Sequence, residues 1–168
     1  MGSAARARTI TILGGIKMTM INGKEDNKDM TIKVKLLEGG VMPVYKTKGA
    51  ACADCYARVD VNIPAGKRAL VPLGFCIELP EGYEAEIRPR SGNSKNGVDV
   101  CQGTVDCDYR GEVMACVVNN LGKGLAVEKG SRVCQMKIQK AEQFKFVEVE
   151  ELSETERGEG GFGHTGVK

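Results

Sequence analysis

From Thr31 onward, apolar and charged residues alternate with a period of two. The segment Ile32-Lys33-Val34-Lys35-Leu36 sets the pattern of a strand with one buried face. Short apolar runs then recur at Ala57–Ile63, Arg68–Leu73, Phe75–Leu79, Tyr83–Ile87, Val113–Val118, Arg132–Ile138 and Phe144–Val149. Turn-forming residues separate them, namely Pro64-Ala65-Gly66, Pro80-Glu81-Gly82, the stretch from Asn119 to Gly124, and Lys129-Gly130. Many short strands at this spacing predict an all-β sandwich or barrel. No long helical period is present; Ser91 to Lys95 is predicted as a single helical turn.

Both ends lack the pattern. Residues 1–29 open with Met-Gly-Ser, carry Arg6 and Arg8, and continue through a Gly-, Lys-, Asn- and Asp-rich stretch with too little apolar periodicity to pack. They read as a disordered leader, with an organelle-targeting peptide as the alternative because the start is basic and free of acids. Residues 30–150 form the one domain, and 151–168 a flexible glycine-rich arm.

Composition narrows the function classes. The 168 residues hold 24 Lys+Arg against 22 Asp+Glu, a net charge of +2. That balance argues against nucleic-acid binding through a broad basic surface and leaves room for a local anion site. Seven cysteines, an odd number at irregular spacings, predict free thiols in a reducing compartment rather than a disulfide framework. An intracellular, cytoplasmic protein is therefore expected, with nuclear or organellar placement open. Cys52 and Cys55 form a CxxC, but with one histidine in the chain and no second such pair they read as ordinary small residues, not a metal or redox site. No apolar run nears the roughly 18 residues that span a bilayer, so no membrane association is expected.

Three polar stretches stand out against the β pattern. In Gly103-Thr104-Val105-Asp106-Cys107-Asp108-Tyr109-Arg110-Gly111-Glu112, strand alternation would put Asp106 and Asp108 on one face and Cys107 and Tyr109 on the other. Arg88-Pro89-Arg90-Ser91-Gly92 offers a guanidinium fork, a hydroxyl and open backbone N–H groups, the parts of a polyphosphate clamp. The tail from Arg157 to Gly166 sets Phe162 and Arg157 among glycines, as suits a strip that folds over a planar anionic ligand. Each has a bland reading: a polar hairpin rim, a solvated turn, a linker. Together they acquire a chemistry, since a carboxylate beside phosphates and a divalent cation can take a proton from water for attack on phosphorus. Asp106 is the candidate base. Asp108 and Arg110 read as structural, paired with each other or with neighbouring chains, and His164 as a polar lid residue.

In this order the motifs resemble those of the trimeric, all-β deoxyuridine triphosphate nucleotidohydrolases (dUTPases). The first is Ala51-Cys52-Ala53-Asp54-Cys55-Tyr56-Ala57, the second Pro89-Arg90-Ser91-Gly92, and the third Gly103 to Gly111. The fourth is Gly130-Ser131-Arg132-Val133-Cys134-Gln135-Met136, and the fifth Arg157 to Gly166. The resemblance covers about residues 31 to 166, and its third and fifth motifs are the specific ones. It implies a distorted β-barrel or jelly-roll-like fold and a homotrimer with shared active sites. It also implies Mg2+-assisted hydrolysis of dUTP to dUMP and pyrophosphate. Asp106 would then activate the water, and Tyr109 would pack under deoxyribose. The hairpin from Val98 to Val105 would read uracil through its backbone, at Val100, Gly103, Thr104 and Val105. Arg90, Ser91, Gly92 and Gln135 would line the phosphates. Arg157, Gly163, His164 and Thr165 would hold the γ-phosphate end while Phe162 covers the base. The metal would be held by the phosphates and water, with Asp54 reaching it through water.

The sequence departs from that pattern in places. Cys52, Ala53 and Cys55 replace the usual glycine, tyrosine and leucine around Asp54; Ser131 stands where an aspartate is common, removing a partner for Arg132; His164 replaces a frequent serine. Two rival activities are open at this stage. A dCTP deaminase on a similar fold would release ammonia, and a nucleotide-dependent regulatory protein would bind without turnover.

Overall fold

The computed structural model describes residues 8–11, 17–20 and 31–161. In chain order its strands are β1 (Arg8–Thr11), β2 (Lys17–Met20), β3 (Lys33–Leu36), β4 (Ala53–Tyr56), β5 (Val61–Ile63), β6 (Arg68–Pro72), β7 (Phe75–Glu78) and β8 (Tyr83–Arg88). A helical turn α1 (Ser91–Lys95) follows, then β9 (Val98–Val100), β10 (Gly103–Val105), β11 (Met114–Asn119), β12 (Leu125–Val127) and β13 (Arg132–Lys140). The all-β class and the single helical turn are as expected.

The strands pair antiparallel in small sheets. The largest runs β10-β8-β13-β4, the next β6-β11-β9, and β3-β7 and β12-β5 close the body as two-stranded pieces. Period-two patterning explains which side faces inward: along β11 every second residue, Ala115, Val117 and Asn119, is buried. These inward residues join Phe75, Leu73, Val71, Ile87 and Ile63 in one continuous core. Each fully buried large apolar side chain there contributes about 2 kcal/mol of transfer free energy. Asn119 is the polar member. Its amide donates to the carbonyls of Ile63 (2.9 Å), Pro64 (3.2 Å) and Lys123 (2.9 Å), and its Oδ1 accepts from the Leu121 N–H at 2.9 Å. Burial therefore leaves it no polar group unpaired, and the Asn119–Gly124 turn is pinned to β5. At one point two backbones nearly touch: Gly74 has φ +76°, and a Cβ on Gly40 would overlap the Gly74 carbonyl.

Two expected strands differ. The run Ala57–Ile63 is broken by a turn over residues 57–60, so only Val61–Ile63 is extended and paired, while β4 lies just before the run. Phe144–Val149 joins no sheet at all. Phe144, Phe146, Val147 and Val149 are exposed, Phe146 at 96%. Within residues 1–30, β1 and β2 pair with Thr9 opposite Thr19; the rest of that stretch lies outside the described residues. No helix among the described residues is long and apolar enough to cross a membrane.

Candidate functional site

Three segments remote in sequence are brought together on one sheet. Asp54 on β4 stands opposite Gln135 on β13, and Gln135 opposite Arg88 on β8. The two pairings bring the first, second and fourth motifs together. The Asp54 carboxylate receives Arg90 Nε at 3.4 Å and Arg132 Nη1 at 3.1 Å, and Arg90 Nη1 also donates to the Arg132 carbonyl at 3.3 Å. Gln135 Nε2 donates to the Pro89 carbonyl at 2.8 Å. Arg90 caps α1 in extended conformation, which the following helical turn needs at its start. Ser91 and Gly92 open that turn and are exposed. Asn93 ties it to β13 by donating to the Val133 carbonyl at 3.2 Å. The loss of an aspartate at Ser131 thus does not strand Arg132, whose partner is Asp54, 78 residues away. Fixed cations held partly in place by one carboxylate can exchange that carboxylate for an anionic ligand at little cost in reorganisation.

The third motif sits at the other end of the same sheet. β10 pairs with β8 as Val105 opposite Ala85, so Asp106 lies level with Glu84. Arg90 lies six residues further along the chain from Glu84, which at strand rise is about 20 Å. The expected strand does not continue through the motif. β10 ends at Val105 and residues 106–111 form a turn, closed where the Tyr109 N–H donates to the Asp106 carbonyl at 3.2 Å. Asp106 is exposed and lines a cleft of about 530 Å3 with Glu81, Tyr83, Asp108 and Gln143. Tyr109 folds back over the turn; its hydroxyl donates to the Glu112 carbonyl at 3.0 Å, and a Cβ at Gly111 would overlap the ring. That is why the turn needs glycine there. Arg110 Nη1 donates to the carbonyls of Cys107 (2.7 Å) and Tyr109 (3.0 Å), a structural role achieved through backbone groups rather than by pairing with Asp108.

The segment Val98–Val105 is not a two-stranded hairpin. β9 hydrogen-bonds to β11 and β10 to β8, so the chain turns a corner between sheets at Cys101-Gln102. Val100 and Val105 point inward, Gly103 lies opposite Ile87, and Thr104 is exposed. Gln102 bonds the Glu86 carboxylate, which also pairs with Arg88. Pairing explains how Glu86 tolerates 3% exposure in mid-strand.

Two supports had no expectation in the sequence. Glu112 accepts from Arg58 Nη2 through Oε2 at 3.0 Å and from the Gly74 N–H through Oε1 at 2.9 Å, with Arg58 Nε in ion-pair contact 2.9 Å from Oε1, and so anchors the far side of the 106–111 turn. Its only signal was a carboxylate placed directly after the third motif's last glycine. The Glu86–Gln102 contact had none, because the sheet register that joins them is not visible in sequence. Arg157 is described and exposed, its Nε donating to the Gly160 carbonyl at 2.7 Å. Phe162, Gly163, His164 and Thr165 lie outside the described residues.

The donor set bears on a metal. No three His, Cys, Asp or Glu side chains converge among the described residues, and both oxygens of Asp54 meet arginines. Such a site fits an ion carried by ligand phosphates, not one caged by the protein.

A family model described as dUTPase matches residues 39–166. The deoxyuridine 5'-triphosphate nucleotidohydrolase of Finegoldia magna is 44% identical over 142 residues, covering 82% of this chain and 99% of the relative. That of Chlamydia trachomatis serovar L2 is 50% identical over 139 residues, covering 79% and 95%. Among solved structures, the Staphylococcus bacteriophage 80alpha dUTPase with dUpNHpp superposes with a TM-score of 0.77 at 26% identity, over 82% of this chain and 99% of that one. A variant dUTPase from phage phi11, in which a structural Mg(II) ion is coordinated, shares the fold at a TM-score of 0.71 and 21% identity, over 74% and 100%.

Proposed function

The chain belongs to the dUTPase family and is a dUTP diphosphatase, and from that premise we propose how its residues divide the work. The observation that carries the reading is the separation of Asp106 from the Arg90–Asp54–Arg132–Gln135 cluster by the length of β8. A general base must stand within hydrogen-bond reach of the proton it takes, and the water it activates must lie against the phosphorus. Base and clamp at opposite ends of one strand cannot meet one nucleotide. A second copy must bring its base to this chain's clamp, and closed cyclic assembly into a homotrimer supplies that copy three times over. The exposed apolar run Phe144–Val149 supports the same assembly, since apolar side chains standing in water gain by finding a neighbour.

In the shared site Asp106 takes a proton from water as its oxygen attacks the α-phosphorus in line. The bond from that phosphorus to the bridging oxygen breaks, leaving dUMP and pyrophosphate. Arg90 and Gln135, with Ser91 and Gly92, hold the phosphates, and the charge that grows on the departing pyrophosphate meets guanidinium already in place. Tyr109, fixed by its bond to the Glu112 carbonyl, offers its ring to deoxyribose where a 2′-hydroxyl would clash. Uracil is read by backbone at Val100, Gly103, Thr104 and Val105. Arg157, Gly163, His164 and Thr165 close over the γ-phosphate and Phe162 over the base. Mg2+ bound to the triphosphate would neutralise its charge and draw electron density from phosphorus, with Asp54 no nearer than a water away. The reaction lowers dUTP, limiting uracil in DNA, and supplies dUMP for thymidylate synthesis inside the cell.

Incubation with magnesium and dUTP, dCTP, dTTP or UTP in turn, while pyrophosphate and ammonia are followed, tests this. Pyrophosphate from dUTP alone is expected. Ammonia from dCTP would make the chain a deaminase, and silence with every nucleotide would make it a binding protein.

A further inference from the structure

The corner between β9 and β10 carries a pair of thiols that catalysis does not use. Val100 lies opposite Val117, both turned into the core, so Cys101 and Cys116 form the next rung and turn outward. The Cys101 N–H donates to the Cys116 carbonyl at 2.9 Å, which fixes the two residues side by side across the strands. Directly opposed residues of this kind have Cα atoms about 5.5 Å apart, inside the range that a disulfide spans. Both thiols are partly exposed, and Leu70, opposite Cys116 on β6, leaves that face open at 60% exposure. Arg68 Nη1 lies 4.0 Å from Cys101 Sγ, so a guanidinium faces that sulfur. Burial and the Cys101 contact hold the Cys116 thiol above its usual range, marking it as the second, resolving partner.

We propose that Cys101 and Cys116 are a reversible redox site, oxidised by peroxide to a disulfide that displaces the substrate-reading corner. The Cys101 thiolate attacks one peroxide oxygen; the O–O bond breaks, hydroxide leaves and a sulfenic acid remains. Cys116 sulfur then attacks the Cys101 sulfur, the S–O bond breaks, and the hydroxyl departs with the Cys116 proton as water. Two thiols lose two electrons and two protons, and one peroxide becomes two waters. Bond formation draws the two sulfurs together to about 2.05 Å. Cys101 is bonded to Gln102, which Glu86 holds from the other sheet, and Gly103 follows. The corner therefore cannot follow the pull without shifting the backbone assigned to uracil. The molecule contains its own contrast. Cys55 and Cys134 also form a rung, but both are fully buried and closed to an oxidant.

The consequence for binding rests on the function proposed above; the cross-link itself does not. The reduced full-length protein is titrated with hydrogen peroxide, digested without reductant and mapped by mass. The expected product is a single linked peptide pair, 101 with 116, two hydrogens lighter. The KM for dUTP should rise at least about threefold with little change in kcat, and dithiothreitol should reverse both. Cys116→Ser should keep the reduced enzyme's rate, give no linked peptide and hold its KM under peroxide. Absence of the 101–116 link, or earlier linkage of Cys55 to Cys134, overturns the site. A complete link with unchanged KM overturns its effect on the corner, and a link in a protein that hydrolyses nothing sinks the hydrolase reading alone.

Discussion

The two ends of β8 are built differently. At the Arg88–Arg90 end the side chains proposed to meet phosphate are held by one another, two guanidinium groups on one carboxylate and an amide on a backbone carbonyl. At the Tyr83–Glu84 end Asp106 stands exposed at a turn, and its support comes from behind, through Glu112 and Arg58. Groups that must bind a fixed charge gain from being set in place beforehand, whereas a base must be free to approach water and accept its proton. In the proposed division of work the clamp is thus set in place beforehand, and the base stands open to water.

Exchanging the base gives the largest expected effect. Asp106→Asn should keep dUTP binding and lower kcat by about 10²–10⁴-fold, the usual worth of a general base; turnover near that of the parent protein would remove Asp106 from the role. The comparison itself is sharpened by mixing. Asp106→Asn and Arg90→Ala, each nearly inactive, are unfolded together and refolded. If base and clamp come from different copies, about a quarter of the sites in random trimers regain both, and the rate should return to that fraction. Activity that stays at the level of the separate variants would place both groups in one chain. Deleting residues after Glu156 comes next. It should lower kcat/KM by about 10²-fold, a closing segment's contribution to orientation, without shifting the melting temperature. An unchanged rate would make the tail a linker.

Much of this fold is legible because period-two burial writes itself into residue type. β3, β6, β7, β8, β11 and β13 all lie where the alternation put them. β9, β10 and β12 have three residues each, too few to show a period, and β4 is spelled Ala-Asp-Cys-Tyr, small and mixed enough to pass for a loop. Phe144–Val149 failed for a different reason. Its pattern is that of a strand, but a strand needs a partner, and sequence does not say that none lies among the described residues. The motifs were legible one at a time through their resemblance to a family. Their division along β8 was not, because it depends on the register Val105 opposite Ala85 and Gln135 opposite Arg88. The strand reading of Asp106 to Tyr109 failed locally, since alternation cannot foresee that the Tyr109 N–H will close a turn on the Asp106 carbonyl.

The smallest expected effect tests whether the base end is held from behind. Glu112 and Arg58 side chains are 21% and 29% exposed, so water screens part of their attraction and the charge alone is worth little. The larger cost of removing Glu112 comes from what it leaves: a Gly74 N–H and a half-buried guanidinium without acceptors. Glu112→Ala should therefore lose about 2 kcal/mol of stability in denaturant titration. Glu112→Gln, which keeps an amide oxygen for the Gly74 N–H, should lose about half that. Because the Tyr109 hydroxyl bonds the Glu112 carbonyl, a turn loosened by the alanine should also raise the KM for dUTP while Arg90 and Gln135 keep their geometry. Equal stability for all three proteins would mean that the 106–111 turn is closed by its own backbone bonds and does not depend on the barrel behind it.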